Sequence, residues 1–458
     1  MNHNFKFDDV NQALPLLLHS LLTDGTEFGS RDNKRTRELM HVGITLTKPW
    51  QREIVLPDRK ASIAAQVVET MWVLSGRTDI AVLTPYLPRA ADFSDDGIEW
   101  RAGYGARLRN YHGVDQLAYL VDTMKNSPGS RQAVATLWDP TVDTEPGKDI
   151  ACNNWLSFSS RLGYLDLHVG VRSNDVMWGW SGINAFEWSV LLEIVAGMSG
   201  LHMGSLHFST TSLHMYDQHW KKAARIRDRG NDSTKSYAQS PRFSEVSTLA
   251  WFDELAELWF TCENDIRNGW PVDVAAFPEP MMRSWLHVLR WHWTQDVTCL
   301  DPISGTRLAE SVLSGYTPPA QRSPEDFLAY VNALHTEKHL AYGDSWKRRG
   351  ESGILANIAR KVDRLESGVD TSDETQTDTA VDLFVYTCKY LCWLRGSSGD
   401  PADVMALIDE VKIVGLGLPE RITADFDYLC TLEAGPDKFR CATRLAQRAL
   451  GLAWSLWG

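Results

Sequence analysis

The chain has 458 residues, 43% of them apolar and 23% charged, a composition that fits a folded protein of two or three domains at roughly 150 residues each. Its 59 acidic against 46 basic side chains leave a formal net charge of −13, so no general basic field draws it to nucleic acid or anionic lipid, and direct nucleic-acid binding is not expected. The N-terminus has no apolar signal core, the longest apolar stretches (189–201 and 381–394) are interrupted by Glu193, Asp382 and Lys389 and fall short of the roughly 18–20 residues of a membrane span, and seven scattered cysteines suit a reducing cytoplasm.

Taken in chain order, 61–74 spaces its apolar residues as a helix does. Residues 133–138 and 164–171 read as strands, because β-branched and aromatic residues fill short runs bounded by Gly, Pro or Asp. A second helix is expected over 185–196, so the first 220 residues are α+β. The polar, turn-rich stretch 221–243 reads as a loop. From 244 onward the strand signal fades. Helical spacing recurs around 246–269, 279–296, 325–340, 353–366, 375–395, 402–413 and 437–456, so the second half is all-α. Pro302, Gly305, Gly315, Pro318, Pro319 and Pro324 mark 301–325 as a linker between a domain over 1–300, including a helical extension over 244–300, and a domain over 326–458.

Several residues stand out for chemistry. Cys152 opens a predicted strand, between a polar loop and an apolar run. It is followed by Arg172-Ser173-Asn174-Asp175, then Asn184, then His214-Met215-Tyr216. Upstream stand Gly29-Ser30-Arg31, Glu69 within Val67-Val68-Glu69-Thr70-Met71-Trp72, Tyr104-Gly105 and Ser130-Arg131-Gln132. In this order and spacing the set resembles the thymidylate synthase and pyrimidine nucleotide hydroxymethylase family, over about residues 20–220.

The resemblance implies a mixed β-sheet with flanking helices, a pyrimidine nucleoside monophosphate as substrate, 5,10-methylenetetrahydrofolate as one-carbon donor, and a homodimer whose active site is shared across the interface. Taken alone, Cys152 would be a small buried apolar side chain. Among these neighbours it is the expected nucleophile, since pyrimidine C5 attacks an electrophile only after a soft anion adds at C6. Arg31, Arg172 and Ser173 would hold the 5′-phosphate, with Arg131 crossing from the second subunit. Gln132 stands where relatives often carry a second arginine, which weakens one phosphate contact.

Asn184 would read the base, because a carboxamide donates to uracil O4 and accepts from N3–H at once; this favours dUMP. The segment Trp180-Ser181-Gly182-Ile183-Asn184 is one residue longer than the family spacing, and the shift persists at His214 and Tyr216, which would bind the sugar 3′-hydroxyl. Asp175 would anchor the pterin, and Tyr104 would assist proton removal at C5. An unpaired carboxylate at Glu69 in an apolar helix is costly, so it faces a polar cavity or a partner, and burial would tune it for proton relay.

Methylation and hydroxymethylation share an exocyclic methylene and differ in whether hydride or water reaches it. Three features lean toward water. Residues 87–96 lack the tryptophan pair of synthases, Asn153 replaces the usual histidine, and the chain continues far past the core. The expected reaction is hydroxymethylation of dUMP to 5-hydroxymethyl-dUMP in the cytoplasm of a bacterium or a phage-infected host. Reductive methylation to dTMP is the first alternative and a catalytically silent nucleotide sensor the second. In the C-terminal domain, Asp378 and Asp382 are four apart on one helix face and could hold Mg²⁺, while Lys361 and Arg364 could meet a phosphate. This region resembles, less specifically, all-α MazG-type nucleotide pyrophosphohydrolases, without their paired Glu-x-x-Glu motif. An ordinary salt-bridged helix face accounts for the same residues.

Overall fold

A computed structural model describes residues 3–29, 34–56, 58–230, 237–244, 248–314, 324–367, 376–398, 400–411 and 419–456. The chain divides into two compact units, one of Met1–His292 with Val297–Thr317 and one of Trp293–Asp296 with Pro318–Gly458.

Seven strands make the sheet of the first unit: β1 (His3–Phe7), β2 (Thr26–Gly29), β3 (Arg35–Leu46), β4 (Val134–Thr136), β5 (Asn153–Arg161), β6 (Tyr164–Asp175) and β7 (His202–Tyr216). They lie in the order β1-β3-β7-β6-β5-β4, with β2 on β3. Alternation drives the layer. Leu165, Leu167, Val169 and Val171 of β6, with Met203, Leu206, Phe208, Leu213 and Met215 of β7, are buried on one side. Against the sheet pack α1 (Val10–Thr23), α4 (Tyr104–Arg109), α5 (Gln116–Asn126) and α6 (Ala185–Met198), while α2 (Ile63–Leu74) lies on α4 and α6 and α3 (Ala90–Phe93) is a single short turn between α2 and α4 in the chain. The β5–β6 hairpin closes on Leu162 and Gly163, both at positive φ (53° and 80°), as a two-residue turn matched to strand twist requires.

Register places the chemistry. β6 and β7 run parallel with Ser173 beside Ser212 and Asp175 beside His214, while antiparallel β5 sets Asn153 opposite Val171. One end of the sheet therefore gathers Cys152, Arg172, Ser173, Asp175, His214 and Tyr216. Beyond β6 the chain enters a π-helix, Val176–Asn184, capped by Asp175 Oδ1, which accepts from the backbone N–H groups of Met177 (2.7 Å) and Trp178 (3.2 Å). The one-residue insertion noted in the sequence falls in this segment. A wider i→i+5 turn absorbs an extra residue without shifting the helix that follows.

Two expectations are corrected here. Part of the expected loop is α7 (Trp220–Arg229), a helix that buries only Ala223 and Ile226 and exposes a row of cations, so its composition read as a turn-rich loop. The expected linker is folded at its start, where a 3₁₀ turn over Val297–Ile303 precedes a helix over Arg307–Ser314; residues 315–323 lie outside the described ones. Numbering continues with α8 (Leu249–Asn268), α9 (Pro280–Thr294) and α10 (Arg307–Ser314).

The second unit is all-α: α11 (Pro324–Tyr342), α12 (Gly350–Ser367), α13 (Gln376–Arg395), α14 (Pro401–Glu410), α15 (Pro419–Thr431) and α16 (Pro436–Leu456). Helix α13 is its axis, buried almost continuously from Thr379 to Cys392. Ile354, Ile358, Val362 and Leu365 of α12 pack in the same core as Leu445, Ala449 and Leu450 of α16. Helix α15 was not anticipated, because only Ile422 and Leu429 supply fully buried apolar side chains between charged neighbours.

Candidate active site

Cys152, the expected nucleophile, sits at a strand entrance held by its neighbour. The Arg172 backbone N–H donates to the Cys152 carbonyl (2.9 Å), and its guanidinium donates to the carbonyls of Ala151 (Nε, 2.9 Å) and Ile150 (Nη2, 2.6 Å). A cation therefore stands at the thiol's own strand entrance, while Arg172 itself is exposed. On the other side the Asn153 backbone N–H donates to the Tyr104 hydroxyl (3.1 Å). Burial pushes the Tyr104 phenol far up, and negative charge at Cys152 and Asp149 adds to the shift, so Tyr104 stays protonated and works as a hydrogen-bond donor.

Asn184 is buried at the end of the π-helix, and its Oδ1 accepts from Asn153 Nδ2 (3.4 Å). The residue that replaces the usual histidine thus braces the residue expected to read the base. Asn153 Oδ1 is itself buried without a hydrogen-bond partner. Ser212 Oγ lies 3.3 Å from His214 Nδ1 and also donates to Glu38, and the His214 and Tyr216 rings meet edge to face at 5.5 Å.

Glu69 on α2 lines a cavity of about 240 Å³ with Gln66, Phe93, Trp100, Trp178 and Gly182. Burial pushes Glu69 up to about 7. Glu187, one helical turn past Asn184 on α6, is buried with Oε1 unpartnered, and it is pushed up by burial and by the charge of Glu69. The two acids form one titrating pair in which a proton is retained at neutral pH. Sequence reasoning missed Glu187, because only the packing of α2 on α6 brings it to Glu69.

It also missed the cavity's aromatic and cationic walls. Phe93 stacks on Trp100 at 5.5 Å, with Trp178 at 6.4 Å from Phe93. The cavity therefore carries two indoles although 87–96 has none, and their absence from that segment is no argument for an open site. At the other end Arg59 braces the π-helix through Met177 O (2.5 Å) and Ser181 Oγ (3.1 Å), and burial brings it down to about 10. Lys222 is brought down to about 8 by burial and by Arg59, Lys60 and Arg225. Gln66 Oε1 is a further buried acceptor without a partner. Flat aromatic walls, orphan amide groups and crowded cations suit a planar heterocycle carrying carboxylates.

Of the expected phosphate ligands, Arg31 lies outside the described residues, and Arg131 is not brought to this centre. Arg131 is exposed ahead of edge strand β4, whose Val134 pairs with Ser157, five residues and roughly 17 Å along β5 from Cys152. In the second unit Asp382 Oδ2 accepts from Lys361 Nζ (2.8 Å), and Asp378 accepts from the Tyr330 hydroxyl (3.0 Å). Among the described residues no group of three or more His, Cys, Asp or Glu is placed to hold a metal ion, and no helix is long and apolar enough to cross a membrane.

Comparison with known proteins agrees with this geometry. The thymidylate synthase family model matches residues 14–246. The chain is 35% identical over 267 residues to the deoxyuridylate hydroxymethyltransferase of Bacillus phage SP01, covering 56% of this chain and 68% of that protein. It is 32% identical over 225 residues to the enzyme of the same name from Pseudomonas phage M6, covering 49% of this chain and 64% of the relative. It is 28% identical over 229 residues to a putative thymidylate synthase of Methanothermobacter marburgensis, covering 49% of this chain and 98% of that one. With the Cys152 strand, its arginine brace and the glutamate cavity in one unit, the chain belongs to the thymidylate synthase family.

Proposed function

We propose that this chain hydroxymethylates dUMP at C5 to give 5-hydroxymethyl-dUMP. The observation that carries the reading is the buried pair Glu69 and Glu187 at the aromatic-walled cavity that Glu69 lines, supported by the similarity to two phage deoxyuridylate hydroxymethyltransferases.

Cys152 Sγ adds at C6 of the uracil, and the electron pair passes through C5 toward O4. Asn184 donates to O4 from its Nδ2, and its Oδ1, which also accepts from Asn153 Nδ2, takes the N3–H with its second lone pair. The Arg172 guanidinium favours the thiolate electrostatically and faces the phosphate with Ser173. Tyr104, held neutral, donates to the water that removes the C5 proton. When bound, 5,10-methylenetetrahydrofolate supplies a one-carbon unit at the formaldehyde level. Asp175, Trp100 and Trp178 would hold its ring, and Lys222 with Lys60 its carboxylates.

Once C5 bears the methylene, water attacks that carbon. Glu69 takes the proton from the water, the electron pair returns through the ring, and the C6–S bond breaks to release Cys152 thiolate. A carboxyl poised near neutrality can both hold that water and accept its proton. Phosphate binding by Arg131 requires a second copy of the chain. The sheet face opposite the helices, where His168, His207 and Ser209 lie half open, is the surface such a homodimer would use.

The test is the product. Incubation with dUMP and methylenetetrahydrofolate should yield a nucleotide 30 mass units above dUMP, about the mass of CH₂O, with no dihydrofolate absorbance. Formation of dTMP with stoichiometric dihydrofolate refutes hydroxymethylation in favour of synthase activity, the name carried by the Methanothermobacter relative. A Cys152→Ser variant should lose turnover and the covalent adduct with 5-fluoro-dUMP.

A further inference from the structure

Asn153 opens β5 directly after Cys152 and is 0% exposed. Its backbone N–H donates to the Tyr104 hydroxyl, and its side chain turns to the end of the π-helix, where Nδ2 donates to Asn184 Oδ1 (3.4 Å). The reaction above uses Asn184 and leaves the Asn153 side chain without a task of its own.

A carboxamide is ambidextrous. Its NH₂ and its oxygen sit at the two ends of a nearly symmetric plane, so half a turn about the last side-chain bond exchanges donor for acceptor. Uracil shows an acceptor at O4 and a donor at N3–H, whereas cytosine shows a donor amino group and an acceptor N3. Asn184 therefore fits dUMP in one orientation and dCMP in the other, and the residue type by itself does not choose. Its neighbours do. The Asn153 NH₂ stands at its oxygen end. Toward its nitrogen end lies Asn174 Oδ1, a buried acceptor without a hydrogen-bond partner, on a side chain whose Nδ2 donates to Thr210 Oγ1 (3.3 Å). Gly179 leaves room for both, since a Cβ there would lie 3.2 Å from Asn174 Oδ1 and 3.5 Å from Asn184 Nδ2. Turning Asn184 over would set NH₂ against NH₂ at Asn153 and oxygen toward oxygen at Asn174. Turning Asn153 and Asn184 together restores the first contact and still leaves the second opposed.

We propose, resting on the contact of Asn184 with the base in the reaction above, that Asn153 is a positioning residue for base choice. Its Nδ2 keeps the Asn184 carboxamide turned so that the NH₂ end meets uracil O4 and the oxygen end meets N3–H. The amino group of dCMP would face that NH₂ and is refused. Choice of the pyrimidine is thus made by a side chain that acts through its neighbour.

The experiment is equilibrium dialysis of the whole chain against dUMP and against dCMP, without folate, for wild type, Asn153→Ala and Asn153→Asp at about pH 8, where an introduced carboxyl favours its ionised form. Wild type should bind dUMP more tightly than dCMP. Asn153→Ala should narrow that ratio about tenfold, with dCMP bound no more weakly than by wild type. Asn153→Asp offers Asn184 only acceptors, so the carboxamide turns and the ratio should move further toward dCMP. Asn153→Ala keeps the test valid if the buried carboxylate of Asn153→Asp prevents folding. A purely structural role would weaken both nucleotides alike, so an unmoved ratio in folded Asn153→Ala overturns the proposal, as does a wild type that binds the two equally. With no folate present the ratio is independent of the product: failure to form 5-hydroxymethyl-dUMP refutes the proposed function, and the ratio alone judges Asn153.

Discussion

Replacing Glu69 with glutamine should inactivate the enzyme and stabilise its fold, and the two effects have one cause. An ordinary glutamate titrates near 4.5, whereas burial pushes Glu69 to about 7. The folded chain then holds a proton that the unfolded chain has released between those values, so stability falls as pH rises from about 4.5 to about 7 and levels off above. The gap between about 4.5 and about 7, at about 1.4 kcal/mol for each tenfold change in proton affinity, sets an upper bound of about 3–4 kcal/mol lost at pH 8. Glutamine cannot ionise and removes that loss. At roughly 2 °C per kcal/mol, Glu69→Gln should melt up to about 6–8 °C higher than wild type at pH 8, with the gain shrinking to nothing at pH 4.5. Thermal unfolding at the two pH values, with turnover measured in parallel, is the assay. A gain of the same size at pH 4.5, or none at pH 8, would show that Glu69 is an ordinary solvated carboxylate and remove the basis for its part in water attack.

Other consequences are equally specific. Lys222→Met should raise KM for the folate donor about tenfold while leaving dUMP binding unchanged, and wild-type affinity for the donor should fall as pH rises through about 8, where Lys222 loses its proton; equal effects on both substrates would misplace the residue. Asp143→Ala should cost about 3–5 kcal/mol in denaturant unfolding, because it strands the buried Arg107 guanidinium that donates to Asp143 at 2.5 and 2.8 Å; a loss below about 1 kcal/mol would show that water reaches the pair. Glu187→Gln should keep the acid limb of the rate profile near 7, where Glu69 must lose its proton to act as base, since Glu187 is the member of the pair that stays protonated, and a limb moved below about 5 would reverse that assignment.

The strand that ends at Asp175 and the helix that follows Asn184 were readable because their patterns are local: β-branched alternation in 164–171 and apolar helical spacing in 185–196. The strand runs on to Asp175, since Arg172, Ser173 and Asn174 look like loop residues until β7 pairs with them. Strand β7 was invisible for the same reason. Its His, Ser and Thr residues face the open side of the sheet and interrupt the apolar signal. Glu187 and Lys222 could not be assigned from sequence, because each gains its meaning from a neighbour more than a hundred residues away, Glu69 for one and Arg59 for the other. Asn153 was flagged as a departure, yet its contact with Asn184 exists only once β5 and the π-helix are side by side.

The nine-residue π-helix between Asp175 and Asn184 has a consequence for how this active site can change. Both of its ends are fixed, one by a strand and the other by α6, so an added residue bulges the ribbon without moving the anchors. What this end of the cavity presents can then be altered by chain length as well as by side-chain identity. Losing one residue here would tighten the ribbon to an ordinary helix and swing the Asn184 carboxamide by about a quarter turn.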